Sequence, residues 1–345
     1  MSSSTAHAAA PLPVPGWLVS RRYDLTFFIG PCLLSALAAF VVPADGGTWA
    51  WLVFVVGIDV AHVWATLYRT WLDPAERRMR RPLLLGTLGG ALLAASLVQA
   101  VAPAWFWTLL AWFAVFHFIR QQQGFAALYR VGRNVPALEA RVEHWTVAAL
   151  CAWPVLWWHA HLPRRFTWFT AQDFLPVPEW PVPFAGAVTL ALVLAWAGLR
   201  VRGRPRPGGD LWVLTTGLTW FAGIVWTNGD LPFTIANVVA HGVPYFALVH
   251  HVSRRRWADT PPTWLVPMLF LAIPIGLALT EELLWDALVW QDHVFDFDVP
   301  AWLTRGAVAV LAAPQITHYL LDGFIWKMPP GSPLRTWMVP DQRRL

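Results

Sequence analysis

The sequence predicts an all-α protein, a polytopic bundle of about ten transmembrane helices with its N- and C-termini in the cytoplasm. Three observations carry this prediction. The composition is strongly apolar, ten apolar runs are long enough to cross a bilayer, and the basic residues recur after every second run. We therefore expect a multi-pass integral protein of the bacterial inner (cytoplasmic) membrane, surrounded by membrane lipid.

The 345-residue chain has too little charge for a water-soluble protein. Apolar residues make up 57% of it and charged residues 13%, and the mean hydropathy is +0.47. Soluble domains carry roughly 25% charged residues. This composition excludes a soluble globular enzyme, a disordered chain and a coiled coil.

Each predicted span is a run of about 20 mostly apolar residues, the length at which a helix crosses the hydrocarbon core with its backbone hydrogen bonds satisfied. The ten runs lie near 24–43, 49–69, 82–102, 104–120, 142–161, 182–200, 211–227, 231–252, 263–281 and 302–326. They define one transmembrane domain, 23–327, between a cytoplasmic N-terminal tail, 1–22, and a cytoplasmic C-terminal tail, 328–345.

The basic residues test this count, because loops rich in Lys and Arg stay in the cytoplasm. With the N-terminus inside, 22 of the 25 fall on the cytoplasmic side, and only Arg164, Arg165 and Arg305 fall outside. The outer segments 162–181 and 282–301 are predicted to cap the outer surface. Topology alone accounts for the net charge of +5, so we expect no nucleic-acid partner.

Four of the predicted spans carry polar side chains that a bilayer disfavours. Ionisable groups inside a membrane are costly, face the bundle interior and usually mark function. The residues concerned are Asp59, His62, His117, Gln121, Asn237, His241, Gln315, His318 and Asp322.

The four histidines lie at a common depth. Each is 10 to 14 residues into a span that runs from outside to inside, which places the rings about 15–21 Å below the outer boundary. Each also has a carboxylate or amide three or four residues away, on the same helix face. We therefore predict that the four imidazoles meet in one layer.

This pattern predicts a metal centre with His62, His117, His241 and His318 as ligands. Asp59 and Asp322 are predicted to take part in catalysis, either as further ligands or as carboxylates that orient the imidazoles. His251, near the end of the His241 span, is a further candidate ligand. The side chains predicted to support the ligands from behind are Gln121, Asn237 and Gln315.

Imidazole ligands suit several transition metals, so the residues leave the metal open. Iron, mononuclear or dinuclear, would leave positions for dioxygen and, with an electron donor, would oxidise a hydrophobic small molecule that enters from lipid. Zinc is the alternative, in a hydrolase whose metal-bound water attacks an amide or ester. A proton- or metal-coupled transporter needs similar intramembrane residues, as does a purely structural hydrogen-bond network.

In these residues the chain resembles the histidine-rich integral-membrane non-haem iron oxygenases and, within that class, the bacterial and archaeal Brp/Blh carotene dioxygenases. The resemblance covers the multi-span layout, the four histidines and the pair His241–Gly242. It implies that His62, His117, His241 and His318 hold iron and that the substrate is a carotenoid-like polyene.

Overall fold

The computed structural model describes residues 16–166, 171–254, 265–291, 295, 298–328 and 334–335. Within these residues the regular structure is entirely helical, as the composition predicts. The predicted tails 1–22 and 328–345 lie for the most part outside them.

Ten long helices and one short helix follow one another along the described part of the chain. They are α1 (21–38), α2 (Gly47–Arg69), the short α3 (Pro74–Met79), α4 (Arg81–Val101), α5 (Phe106–Leu128), α6 (Ala137–Ala160), α7 (Pro181–Arg202), α8 (207–226), α9 (Asp230–Arg254), α10 (265–290) and α11 (Ala301–Ile325). Single 3₁₀ turns occupy Pro103–Trp105 and Ala171–Asp173.

Six of these helices are long and apolar enough to cross a membrane. They are α2, α4, α7, α9, α10 (over Pro267–Trp290) and α11. The chain thus has the character of a multi-pass integral membrane protein. The other long helices include more polar stretches, such as 121–123 in α5 and Glu139 and Glu143 in α6. Ten spans and two cytoplasmic termini therefore stay predictions.

We name the two ends of the bundle by a residue found at each. At the Asp45 end, the Leu231 N–H donates a 3.0 Å hydrogen bond to the Ala44 carbonyl. This bond joins the start of α9 to the connection between α1 and α2. The Arg69 end, at the opposite side, carries residues 70–80. The distribution of basic residues predicts that the Arg69 end faces the cytoplasm.

Helix α9 lies at the centre of the bundle. Its most apolar stretch is 83% buried inside the protein, against 17% for α7 and 22% for α4. Helices such as α7 and α4 therefore present most of their surface to lipid, while α9 is surrounded by other helices. A central position lets α9 carry Asn237, His241 and Tyr245 away from the hydrocarbon.

Several of these helices contain π-helical stretches. In the described residues these are Leu25–Ile29, Trp51–Val60, Phe221–Trp226, Thr234–Val239 and Asp286–Trp290. Two of them end two residues before His62 and two residues before His241. π-turns accommodate an extra residue and are frequent at functional sites, because they re-aim the side chains that follow.

Two helices extend well past their predicted ends. α5 continues to Leu128 instead of ending near 120, and α10 continues to Trp290 instead of ending near 281. The extensions contain polar residues that hydropathy assigns to loops, yet these residues are buried and bonded. Asp286, for example, is buried and accepts a 2.9 Å hydrogen bond from the Phe295 N–H. The prediction of an outer cap over 282–301 is wrong for its helical part.

Candidate metal centre

The four predicted histidines meet at one point inside the bundle. His62 on α2, His117 on α5, His241 on α9 and His318 on α11 are all buried, and each offers a ring nitrogen within 4.8 Å of the others. The Nε2 atoms of His241 and His62 are 3.0 Å apart, and those of His318 and His117 are 3.1 Å apart. The clustering predicted from depth and facing is confirmed.

The cluster has the dimensions of a single metal site. Around a four-coordinate ion with metal–nitrogen distances of about 2.0–2.1 Å, the ligand nitrogens lie about 3.3–3.4 Å apart. The closest pairs of the cluster fall just below this value and no pair exceeds 4.8 Å. Small ring movements would therefore give all four nitrogens the same distance to one ion.

A close approach of α9 to α2 brings His241 to His62. A methyl group added to Gly242 would lie 2.5 Å from Ile58 Cγ2, so the helices can approach this closely only with glycine there. The Ile58 carbonyl also lies 3.3 Å from His62 Nδ1, which leaves Nε2 of that ring facing His241. The glycine after His241 is thus part of what builds the site.

Both predicted carboxylates lie beside the imidazoles. Asp59 Oδ1 is 3.8 Å from His62 Nδ1, and Asp322 is 3.9 Å from both His318 Nδ1 and His117 Nε2. These distances exceed those of a hydrogen bond. Asp59 and Asp322 therefore surround the cluster at ion-pair distance, and their role as ligands or orienting groups stays a prediction.

A chain of hydrogen bonds joins His318 to Asp322. Thr66 Oγ1 lies 2.7 Å from His318 Nδ1 and 2.8 Å from the Tyr245 hydroxyl. That hydroxyl donates to Asp322 Oδ1 at 2.9 Å, and the Trp326 indole donates to the same oxygen at 3.2 Å. Because Nδ1 of His318 is engaged by Thr66, its Nε2 is left to face the cluster.

Thr66 and Tyr245 are not among the predicted site residues, although the sequence contains a signal for both. Thr66 follows His62 by four residues and Tyr245 follows His241 by four, so each hydroxyl shares a helix face with a predicted ligand. A search restricted to carboxylates and amides overlooks hydroxyl groups, which fix a histidine tautomer equally well.

The predicted supporting residues make other contacts than expected. Gln121 Nε2 donates to the His241 carbonyl at 2.7 Å, so it holds the backbone of α9. Asn237 Nδ2 donates to the Phe233 carbonyl at 3.2 Å. Asn237 and Gln315 both line a cavity next to the cluster. The structure thus places Gln121 behind a ligand, and the other two beside the space that a ligand molecule would fill.

His251 lies away from the cluster. It follows His241 by ten residues, about 15 Å along the helix axis. Its ring centroid is 5.6 Å from that of Tyr23, near the Arg69 end. The neighbouring His250 packs against Phe270, at 5.1 Å between centroids. The structure therefore leaves His251 out of the candidate ligand set.

A cavity of about 780 Å³ lies between the cluster and the Asp45 end. Seven tryptophans, four phenylalanines and Tyr319 are among the described residues that line it. They come from seven of the long helices, except Phe166 and Phe174, which lie between α6 and α7. Phe118 and Tyr319 form its floor. On their other side, Phe118 stacks on His241 at 3.7 Å and Tyr319 stacks on His117 at 4.6 Å between centroids. One layer of rings therefore separates the cavity from the imidazoles.

The Arg69 end is closed. Arg69 is 1% exposed, and its guanidinium lies 3.6 Å from Glu76 and donates to the Ile325 carbonyl at 3.2 Å. The Trp326 ring stacks below it, 5.3 Å from the guanidinium carbon. The cluster thus lies between a cavity on one side and an ion-paired plug on the other.

We found no match to this chain among protein-family models, curated proteins or solved structures. Its function has therefore to be argued from the chemistry and geometry of the site.

Proposed function

We propose that the protein is a membrane-embedded metalloenzyme, an iron-dependent oxygenase or oxidoreductase that acts on a lipid-soluble substrate. The observation that carries this proposal is the position of four buried imidazoles directly beneath a large aromatic cavity. A metal held only for stability would need no such space beside it. A pocket of several hundred cubic ångströms next to a reactive centre is typical of a substrate site.

The ligand set favours iron over zinc. Four histidines complete the tetrahedral shell that zinc prefers, whereas catalytic zinc keeps one position open. Iron with six positions would retain two for dioxygen and substrate. When bound, iron would supply one-electron and dioxygen chemistry, which protein side chains lack. Dioxygen and an electron donor are accordingly the proposed co-substrates.

The residues around the cluster have separable tasks in this proposal. Thr66 and Tyr245 hold the His318 ring in the tautomer whose Nε2 faces the cluster, with Asp322 as the acceptor at the end of the chain. Phe118 and Tyr319 cover the imidazoles and keep water from them. The cavity above holds the substrate against this layer.

Transport is less well supported than catalysis. An alternating-access carrier needs a route from its binding site to each face of the membrane. Here the route towards the Arg69 end is blocked by Arg69, Glu76 and Trp326. A carotenoid-like polyene, which the resemblance implies, is one substrate class that an aromatic cavity would accept.

Metal analysis of detergent-purified protein tests the proposal. We expect about one iron per chain, and loss of that iron together with substrate-dependent oxygen consumption in His62→Ala and His318→Ala. His161→Ala is the matched control, because this histidine is exposed, lies just after α6, and its ring bonds to the Trp157 carbonyl. Zinc in place of iron would redirect the proposal to a hydrolase. Metal-free protein, or full activity in both cluster variants, would refute it.

A further inference from the structure

The cavity combines aromatic walls with acidic side chains. Of the described residues that line it, none is Lys or Arg. Arg164 lies at the same end of the bundle, but its guanidinium donates to the carbonyls of Ile224 and Thr227. The acidic residues of the lining are Asp45, Asp59, Asp173, Asp230, Glu282 and Asp286.

These carboxylates are spread along the depth of the cavity. Asp45 is exposed at the Asp45 end, and Glu282 lies deeper, hydrogen-bonded to Trp51 and facing Asp59. Asp59 lies at the floor beside His62, yet its side chain is 33% exposed although it is in the middle of a helix. Apolar walls around charges of one sign concentrate the field and attract the opposite charge.

A second observation points independently to a ligand that donates hydrogen bonds. Asn237 lines the cavity and is 3% exposed, and its Oδ1 atom has no hydrogen-bond partner. Its Nδ2 donates to the Phe233 carbonyl, which fixes the side chain and leaves its oxygen without a donor. Buried acceptors in proteins are almost always satisfied. The oxygen is itself buried, so a donor supplied by a ligand would satisfy it after a small movement of the side chain.

The aromatic walls are a third observation that favours a cationic ligand. A cation over the face of an aromatic ring is attracted by the ring quadrupole, most strongly by tryptophan. The lining offers tryptophans at several depths, among them Trp51, Trp158 and Trp285. Carboxylates, an unsatisfied carbonyl oxygen and indole faces all favour a positively charged donor with an apolar body.

We propose that the cavity binds an amphiphilic cation, a molecule with an aromatic or aliphatic body and a positively charged amine nitrogen. The inference rests on the proposed function in that the cavity is the substrate site of that function, and it names the chemical class of the substrate. A neutral polyene would fill the aromatic part of the cavity but would gain nothing from the carboxyl groups in its lining.

Three probes with the same phenylbutyl body separate charge from shape. They are 4-phenylbutylamine, 4-phenylbutan-1-ol and 5-phenylvalerate, which at neutral pH are positive, neutral and negative. Calorimetric titration of the full-length protein in detergent micelles gives the affinity of each. We expect the amine to bind at least about tenfold more tightly than the alcohol, because it gains both carboxylate and cation–π attraction. We expect the acid to bind most weakly.

Charge-neutralising variants locate the binding site. Asp45→Asn and Glu282→Gln should each weaken amine binding several-fold and leave the alcohol within about twofold, because they keep the shape of the cavity and remove negative charge. Glu179→Gln is the matched control, since Glu179 is an exposed acid at the same end and lies outside the lining. If Glu282→Gln folds poorly, the exposed Asp45 variant still gives the answer.

The outcomes for the cavity and for the metal are independent. Equal affinities of amine and alcohol, or tightest binding of the acid, would overturn the cation proposal even if the protein contains iron. Equal loss of amine binding in Glu179→Gln would overturn it as well. Conversely, selective amine binding that persists in His62→Ala, in protein that never contains metal, would support the cavity proposal while the proposed oxygen chemistry fails.

Discussion

The two ends of the bundle handle buried charge in opposite ways. At the Arg69 end, the charge of Arg69 meets Glu76 and Asp73 within 4.0 Å and is covered by Trp326. At the Asp45 end, carboxylates line an aromatic cavity without Lys or Arg among the described lining residues. Charge that is paired inside the protein closes one end. At the other end, acidic side chains line a cavity large enough for a ligand.

The histidine cluster lies at the boundary between these two regions and is connected differently to each. Towards the Arg69 end it is tied by hydrogen bonds, from His318 through Thr66 and Tyr245. Towards the cavity it is covered by the stacked rings of Phe118 and Tyr319, with Asp59 beside His62. Polar ties fix ring orientation, whereas a stacked ring can move aside without breaking a hydrogen bond. Substitutions on the hydrogen-bonded side should therefore change metal affinity, and substitutions on the stacked side should change the rate at which the metal can be removed.

The largest effect is expected at the closed end. Arg69→Met should lower the free energy of unfolding by about 3–5 kcal/mol, because it removes the buried cation that Asp73 and Glu76 face and the donor to the Ile325 carbonyl, and leaves Arg80 as the cation beside Glu76. Denaturant titration in mixed micelles measures this value. Arg77→Met is the control, since Arg77 is exposed and donates only to the Trp71 carbonyl. Equal stabilities of the two variants would show that the ion pairs do not close this end.

A smaller effect is expected from the hydrogen-bonded side of the cluster. Thr66→Val keeps the side-chain volume but removes the group that engages His318 Nδ1, so metal affinity should fall about 10–100-fold. Competition with a chelator of known affinity measures the change. Thr87→Val serves as the control, because its hydroxyl bonds only to carbonyls of its own helix. Unchanged affinity in Thr66→Val would mean that His318 is oriented by other contacts.

The smallest effect is expected on the stacked side. Phe118→Ala removes half of the layer between cavity and cluster, so a chelator should extract the metal several-fold faster while equilibrium affinity changes little. Stopped-flow mixing with the chelator measures the rate. Phe116→Ala is the control on the same helix, since Phe116 is 57% exposed. Identical extraction rates would place the access route elsewhere.

Much of the metal centre was predictable because α-helices are regular. Because each residue adds about 1.5 Å of rise, the position of a histidine in its span gives its depth in the membrane. A spacing of i,i+3 or i,i+4 shows which side chains share its helix face. His62, His117, His241 and His318 meet as this geometry predicts. The regular rise also carries His251 away from them, so its proposed role as a ligand required a bend in α9 near Pro244.

The cavity was not predictable from the same rules. Its lining comes from seven helices and two connections, and no periodicity within one helix shows which residues of another will face it. The polar end of α10 was assigned to a cap for a related reason. Glu281 and Glu282 lower local hydropathy, while the indoles that accommodate Glu281, Trp64 and Trp285, become its neighbours only in the folded bundle.

The π-helical stretch Trp51–Val60 joins these two regions within a single helix. Trp51 and Val55 line the cavity, whereas His62, just after the stretch, belongs to the cluster. Deleting one residue from this stretch would turn its cavity side by about 100° relative to His62. The metal ligand would keep its place while the cavity lost part of its wall. Single-residue insertions or deletions in this stretch should therefore change ligand selectivity, while metal binding is retained.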